Sequence, residues 1–238
     1  RITAIIEDSE GVLWIGTSSG LCRYNRDTDT FSRELTNAQR NSSFIFKHNV
    51  NAIFEDDSKT LWVWTSDGLH RLDRSSNGFT LSVYRADSNG VGLSNNYVTQ
   101  ILQDDLGLLI GTRKGLNRIT FKDGSELEIK KILHNDLVDL FVSSMIIDFN
   151  STVWIGTDTG LHKIVYSGGN NFEVSKNVLE TIDNSLSSVS INSLLRYDKS
   201  NIWVGTKKLG LINLNLVNNK ARFFQHDIVD TQSLKSNE

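Results

Sequence analysis

One phrase occurs five times in this chain, and that repetition limits what the chain can fold into more than any other feature. Leu13-Trp14-Ile15-Gly16-Thr17-Ser18-Ser19-Gly20-Leu21 returns as Leu61-Trp62-Val63-Trp64-Thr65-Ser66-Asp67-Gly68-Leu69. The next copies are Leu108-Leu109-Ile110-Gly111-Thr112-Arg113-Lys114-Gly115-Leu116 and Val153-Trp154-Ile155-Gly156-Thr157-Asp158-Thr159-Gly160-Leu161. The fifth, Ile202-Trp203-Val204-Gly205-Thr206-Lys207-Lys208-Leu209-Gly210-Leu211, carries one extra residue before its second glycine. The Trp position steps by 48, 47, 45 and 49 residues. A fixed period of this length marks a repeat architecture.

A second phrase, beginning at Ile2, Val50, Val98, Val142 and Ile191, precedes the Trp position by 12, 12, 11, 12 and 12 residues. A third follows the second glycine and alternates apolar with polar residues, as in Leu69-His70-Arg71-Leu72. That is the two-residue period of a half-buried strand. A looser fourth segment holds an anchor: Phe31, Phe79, Ile129, Phe172 or Phe223. Each unit reads as four short strands, here named a to d from the axis outward. Four strands in each repeat of this length predict an all-β chain of about five β-propeller blades, over approximately 1–48, 49–96, 97–140, 141–189 and 190–238. A solenoid has shorter coils, and sandwich strands do not repeat in register.

The phrases assign structural jobs. Trp14, Trp62, Trp154 and Trp203 are expected to fill the wedge between neighbouring sheets, each N–H finding a partner. Gly16, Gly111, Gly156 and Gly205 leave room for close backbone approach. Gly20, Gly68, Gly115, Gly160 and Gly210 sit where the b–c hairpin needs positive φ. Strand-a pairs such as Thr3-Ala4 and Ser143-Ser144 are small and polar, as a crowded axis requires. No long segment shows a helical period.

Composition removes several classes. The formal net charge of −3 is too near neutral to suggest nucleic acid or an acidic membrane surface as partner. A lone cysteine, Cys22, excludes an internal disulfide. No apolar run is long enough to span a bilayer, and no contact with a membrane is expected of this segment. With no proline among 238 residues, the turns fall to Gly, Asn, Asp and Ser.

The stretch Glu7-Asp8-Ser9-Glu10-Gly11-Val12-Leu13-Trp14-Ile15-Gly16-Thr17-Ser18-Ser19-Gly20-Leu21-Cys22-Arg23-Tyr24-Asn25 resembles the regulator-propeller repeat. That repeat occurs in the periplasmic sensor regions of hybrid two-component regulators of gut Bacteroidetes. The resemblance runs over essentially the whole chain, with departures: Trp64 replaces the strand-b glycine of blade two, and Leu109 the Trp of blade three. It implies a parent with two seven-bladed propellers, a small β-domain, a membrane helix and cytoplasmic kinase and regulator modules. The parent is then an inner-membrane histidine kinase and this segment is a non-enzymatic, periplasmic part of its sensor. The C-terminal run from Asp230 parallels the segment before blade five, so a sixth blade is expected to follow. Implied partners are an oligosaccharide ligand, the rest of the same polypeptide and a second copy in the parent's dimer. Alternatives are a protein-interaction scaffold or a lectin without signalling.

Catalytic and metal readings are weaker. Asp8, Asp56, Asp104 and Asp148 recur in the repeat, which suits turn chemistry better than a glycosidase pair. His48, His70, His134, His162 and His226 show no ligand spacing, so neither metal nor cofactor is expected. The recurrent Arg23, Arg71, Arg118 and Lys163 are expected to pair with a neighbouring blade's acid or snorkel across its edge. Functional residues should instead break the repeat, on the b–c and d–a loops. The basic tips Arg113-Lys114 and Lys207-Lys208 would suit an anionic sugar. Trp64 would stack on a sugar face, with interblade packing as its alternative. Asn95, Asn96 and Tyr97 offer amides and a ring.

Overall fold

The computed structural model describes residues 1–237 apart from 34–47, 77, 88, 90–91, 123–125, 133–136, 138 and 169–170. His134 therefore lies outside the described residues. The fold is all-β: five four-stranded antiparallel β-propeller blades. Blade one holds β1 (Ile2–Glu7), β2 (Leu13–Thr17), β3 (Gly20–Asn25) and β4 (Thr30–Ser32). Blade two holds β5 (Val50–Glu55), β6 (Leu61–Thr65), β7 (Gly68–Ser75) and β8 (Gly78–Tyr84). Blade three holds β9 (Val98–Asp104), β10 (Gly107–Thr112), β11 (Gly115–Lys122) and β12 (Glu126–Lys131). Blade four holds β13 (Val142–Ile147), β14 (Val153–Thr157), β15 (Gly160–Gly168) and β16 (Asn171–Ser175). Blade five holds β17 (Ile191–Arg196), β18 (Asn201–Thr206), β19 (Leu211–Asn215) and β20 (Lys220–Phe224). Two short 3-10 turns, Val178–Thr181 and Asn184–Leu186, lie between blades four and five. The chain divides into two compact units, Arg1–Val98 and Thr99–Glu238.

The a–b turns show what the recurrent aspartates do. Asp8 Oδ1 accepts the Glu10 and Val12 N–H groups at 3.0 and 2.9 Å, while Oδ2 accepts Trp14 Nε1 at 2.7 Å. Asp56 repeats this with Ser58, Thr60 and Trp62, and Asp148 with Asn150, Thr152 and Trp154. One oxygen shapes the turn and the other holds the indole. The third residue after each of these acids has positive φ: Gly11 at 77°, Lys59 at 63° and Ser151 at 59°. Only the glycine adopts that conformation without steric cost.

The b–c turns are equally regular. The five predicted glycines, Gly20, Gly68, Gly115, Gly160 and Gly210, all have positive φ, between 74° and 148°. The threonine ending strand b locks each turn. Thr157 Oγ1 donates to the Gly160 carbonyl at 3.0 Å and accepts the Thr159 N–H at 3.2 Å. Thr17, Thr65, Thr112 and Thr206 do the same. In blades two and four the fully buried His70 and His162 back this threonine through Nε2 at 3.0 Å.

Blades join through a shared apolar layer. In the first unit Trp14 and Leu21 pack against Val50, Leu61, Val63, Leu72 and Phe79 of blade two. The Trp14 and Phe79 rings meet edge to face at 5.3 Å. In the second unit Leu109 and Leu116 pack against blade four, and Trp154 and Leu161 against blade five.

The strand-b glycines serve this contact, but not by admitting backbone. A Cβ on Gly16 would lie 2.5 Å from Val50 Cγ1, on Gly111 2.7 Å from Val142 Cγ1, and on Gly156 2.6 Å from Ile191 Cγ2. The intruder is the first aliphatic side chain of the next blade's strand a, which corrects the expected backbone approach. Gly205 faces Ser193 of its own blade instead.

Strand a carries a register shift in four blades, around Thr3, Asn51, Ser143 and Asn192. Such a bulge re-aims a side chain. Thr3 Oγ1 donates to the Val50 carbonyl at 2.5 Å, and Ser143 Oγ to the Ile191 carbonyl at 2.6 Å. Gln100 exchanges two hydrogen bonds with the Met145 backbone, and Ser144 Oγ accepts the Leu194 N–H. The polar residues of strand a thus stitch neighbouring blades together within each unit.

Two stability predictions follow from these contacts. Asp148→Asn deprives Trp154 of its acceptor, and Asp8→Asn deprives both Trp14 and Arg74, whose guanidinium reaches Asp8 at 2.7 Å. Urea unfolding should show a loss of about 1–2 kcal/mol for the first and about 3 kcal/mol or more for the second; equal losses would deny Arg74 its role. Burial, above all, lowers the His70 pKa to about 4, so in the folded state it stays neutral below its unfolded value of 6.5. Unfolding binds the proton, so His70 should cost up to about 1.4 kcal/mol of stability per pH unit as pH falls from 6.5 to 4. His70→Gln should flatten the pH dependence of the melting temperature across that window.

Candidate functional site

The repeat-breaking loops sort into three situations. Arg113, Lys114, Lys207 and Lys208 are exposed at the b–c tips of blades three and five. Blade four's tip, with Asp158, comes between them in blade order, so the basic charge is divided between two tips. Trp64 is only 8% exposed, in a strand buried along its whole length. It is a packing residue with no ring face to offer a sugar, which corrects the expectation of a stacking platform. Asn95, Asn96 and Tyr97 are half-buried, and their loop is tied internally. Asn95 Oδ1 accepts the Tyr97 N–H at 2.8 Å, and Asn96 Oδ1 accepts the Ala86 N–H at 2.6 Å.

The strand-c cations also behave differently from expectation. Arg71 pairs with Asp73 of its own strand at 2.8 Å and lies over the Trp62 ring. Lys163 lies over Trp154, and Arg118 grips Asp104, both within their own blades. In the first unit a cation that crosses a junction is Arg74, three residues further along β7. It meets Asp8 at 2.7 Å, Glu10 at 2.9 Å and Glu55 at 3.2 Å. Asp8 is buried, which by itself raises its pKa, but donation from Trp14, Arg74 and Val12 outweighs this and leaves the pKa lowered. The carboxylate therefore stays ionised between two blades.

Junction three–four is built on other chemistry. Leu109 stands where the Trp would be, and Asp104 comes five residues before it, not six. With no indole to hold, Asp104 takes both guanidinium nitrogens of Arg118, the Nη2–Oδ2 bond being 2.8 Å. Tyr166 occupies the strand-c position at which blade two has Arg74. Its hydroxyl accepts a hydrogen bond from Arg118, and the guanidinium lies over its ring. Burial pushes the Tyr166 hydroxyl above its ordinary pKa, partly offset by Arg118, so the phenol stays neutral. Acid and cation here both belong to blade three, and what crosses the junction is the contact of Arg118 with Tyr166.

Room is left beside this bridge. A groove of about 440 Å³ opens between the a–b turns of blades three and four. Gln103 and Asp105 line it from one blade, and Asn150, Ser151, Val165 and Tyr166 from the other. A smaller hollow of about 330 Å³ lies on the other side of Tyr166, walled by Arg118 and Phe172. Tyr166 and Phe172 meet edge to face at 6.1 Å. The one visible trace of this groove in the sequence is Leu109 at the Trp position. Tyr166 has no motif to announce it.

Among the described residues no three His, Cys, Asp or Glu side chains are grouped as a metal would require. No helix among them is long and apolar enough to cross a membrane.

Comparison with known proteins agrees with the repeat. The two-component regulator propeller family model matches residues 1–19. No curated protein matches the chain. Among solved structures, the chain is similar to the extracellular domain of the putative one component system BT4673 of B. thetaiotaomicron, at 25% identity and a TM-score of 0.70. That likeness covers 100% of this chain and 29% of the other. A structure described as the extracellular domain of the putative hybrid two component system BT4673 gives 23% identity and a TM-score of 0.63, over 99% of this chain and 34% of that one. PorZ, a surface component of the type-IX secretion system of Porphyromonas gingivalis, shares the fold at 18% identity and a TM-score of 0.66, over 100% of this chain and 35% of its own. The chain thus spans about a third or less of the length of these structures. It carries the two-component regulator propeller repeat, set in five β-propeller blades.

Proposed function

We propose that this chain is the ligand-sensing propeller segment of a hybrid two-component sensor, positioned in the periplasm, and that its ligand is an oligosaccharide. The observation that carries the reading is the likeness to the extracellular domain of BT4673 over the entire chain, joined to the regulator-propeller match at the first repeat. The rest of the polypeptide would supply a membrane anchor and a cytoplasmic histidine kinase. Fold alone does not give function, so the chemistry must be sought where the repeat departs from itself.

The blades suit binding better than catalysis. The recurrent acids that might have served a hydrolase are committed: Asp8, Asp56 and Asp148 each hold a turn and an indole, and Asp104 holds Arg118. A ligand that contacts two blades together, or one blade and a neighbouring domain, would bind one arrangement of them better than another. That differential affinity is all a sensor needs to shift a downstream equilibrium.

Calorimetric titration of the chain with neutral and acidic oligosaccharides, beside the intact extracellular region of its parent, tests the reading. Saturable binding by the chain is expected, with a Kd of about 1 mM to 1 μM, the range of weak to moderate association. Silence from both proteins across a broad panel, together with capture of a protein partner, would replace sensing of glycans by a scaffold role.

A further inference from the structure

We propose that the groove between blades three and four seats one or two neutral sugar residues, with Tyr166 and Val165 beneath the sugar's C–H face and Asp105, Asn150 and Ser151 meeting its hydroxyls. The proposal rests on the oligosaccharide-sensing reading and assigns that function a place and a ligand class.

Space is the first ground. In the other junctions of known geometry an indole fills the wedge: Trp14 is fully buried and Trp154 almost so. Leu109, smaller and fully buried, stands in that place at junction three–four, and at the turns of the same junction a groove of about 440 Å³ is open. That volume falls within the range of small-molecule sites.

The second ground is the lining. A sugar presents hydroxyls that both donate and accept, and an apolar C–H face. A carboxylate accepts, an amide does both, and a serine hydroxyl does both. Asp105, Asn150 and Ser151 stand exposed on the two turns that bound the groove. Val165, 41% exposed, and the half-buried Tyr166 ring supply the apolar wall.

Charge decides which sugar. Arg118 is buried, does not line this groove, and has its charge met by both Asp104 oxygens, so it is no anion receptor for it. Lys130 and Lys131 line the neighbouring hollow and not this groove, and Lys130 is 3.1 Å from Glu128. Asp105 adds an acid at the rim. A uronate or sulfate would meet that charge without a guanidinium to offset it, so an anionic glycan is disfavoured.

The wall is also held in advance. Arg118 fixes Tyr166 by a hydrogen bond and by lying over its ring, and Phe172 bounds its other edge. A ring already ordered loses little freedom when a ligand lands on it.

The test is titration of the 238-residue chain and three variants with neutral and uronate-containing oligosaccharides of matched length. Val165→Arg projects a long cation into the groove from an exposed site. The pair Asp105→Asn and Asn150→Ala removes polar contacts without touching the core. The third variant replaces Arg113, Lys114, Lys207 and Lys208 by Ala. The wild type should bind the neutral sugars about tenfold more tightly than the acidic ones, a difference of about 1.4 kcal/mol. Val165→Arg should abolish that binding, the polar pair should weaken it about fivefold or more, and the four-alanine variant should bind as the wild type does. Wild-type binding that both groove variants retain would overturn the groove while leaving the sensor reading intact. So would binding of acidic sugars alone, lost in the four-alanine variant. Failure of the chain to bind any sugar would overturn this proposal, and would end the sensor reading with it only if the intact extracellular region is silent as well.

Discussion

In blades one, two and four the order rests on one carboxylate of the a–b turn that serves two masters. Asp8, Asp56 and Asp148 each accept two backbone N–H groups through one oxygen and an indole N–H through the other. The first pair of bonds defines the a–b turn and so the register of the hairpin. The indole bond fixes the plane of the ring that Trp14 and Trp154 present to the next blade. A buried indole N–H with no acceptor would be costly, as would a buried carboxylate with no donors. Placing them together settles both debts and ties the local turn to the packing between sheets. This explains why the acid and the Trp keep a six-residue separation in these three blades; in blades three and five the acid, Asp104 or Asp198, stands five residues before Leu109 or Trp203.

Two further devices spread that order along each unit. A bulge in strand a turns Thr3 and Ser143 toward the carbonyl that begins the next blade. The glycine on strand b then receives the aliphatic side chain of the residue that bears that carbonyl: Val50 against Gly16, Ile191 against Gly156. A polar bond and an apolar contact thus converge on the same residue of the neighbour. Either alone would tolerate sliding of one sheet over the other. Together they fix both height and approach.

The architecture was legible because it is written five times. Spacing alone placed the four strands, the positive-φ glycines of the b–c turns and the Trp in its wedge. What could not be read was any interaction between residues far apart in sequence. Arg74 carries no repeat signature, since the equivalent positions hold Arg26, Phe121, Tyr166 and Leu216, so its reach to Asp8 across 66 residues had no pattern to betray it. The strand-c cations showed the opposite fault. Their recurrence implied pairing with a neighbouring blade's acid, yet Arg71 and Lys163 lie over the indole of their own blade, and Arg118 takes Asp104 of its own blade while reaching Tyr166 of the next. Trp64 looked available only because sequence cannot show that all five residues of β6 are buried.

Junction three–four shows how a repeat can depart from its pattern without losing its bridge. Replacing Trp by Leu removes the donor that the acid was placed to hold. Left alone, Asp104 would be a poorly satisfied carboxylate between two sheets. Arg118 supplies two donors in place of one, and Tyr166 accepts a third bond from the same guanidinium. The exchange meets the acid's charge, while a groove of about 440 Å³ lies at the turns of the same junction. Close to strand a the two blades remain tied, Gln100 bonding both the Met145 N–H and its carbonyl. The space therefore opens only toward the turns, at the rim of a junction that is held elsewhere. A groove of that kind can exist without loosening the fold, and contact within it is made to two sheets at once.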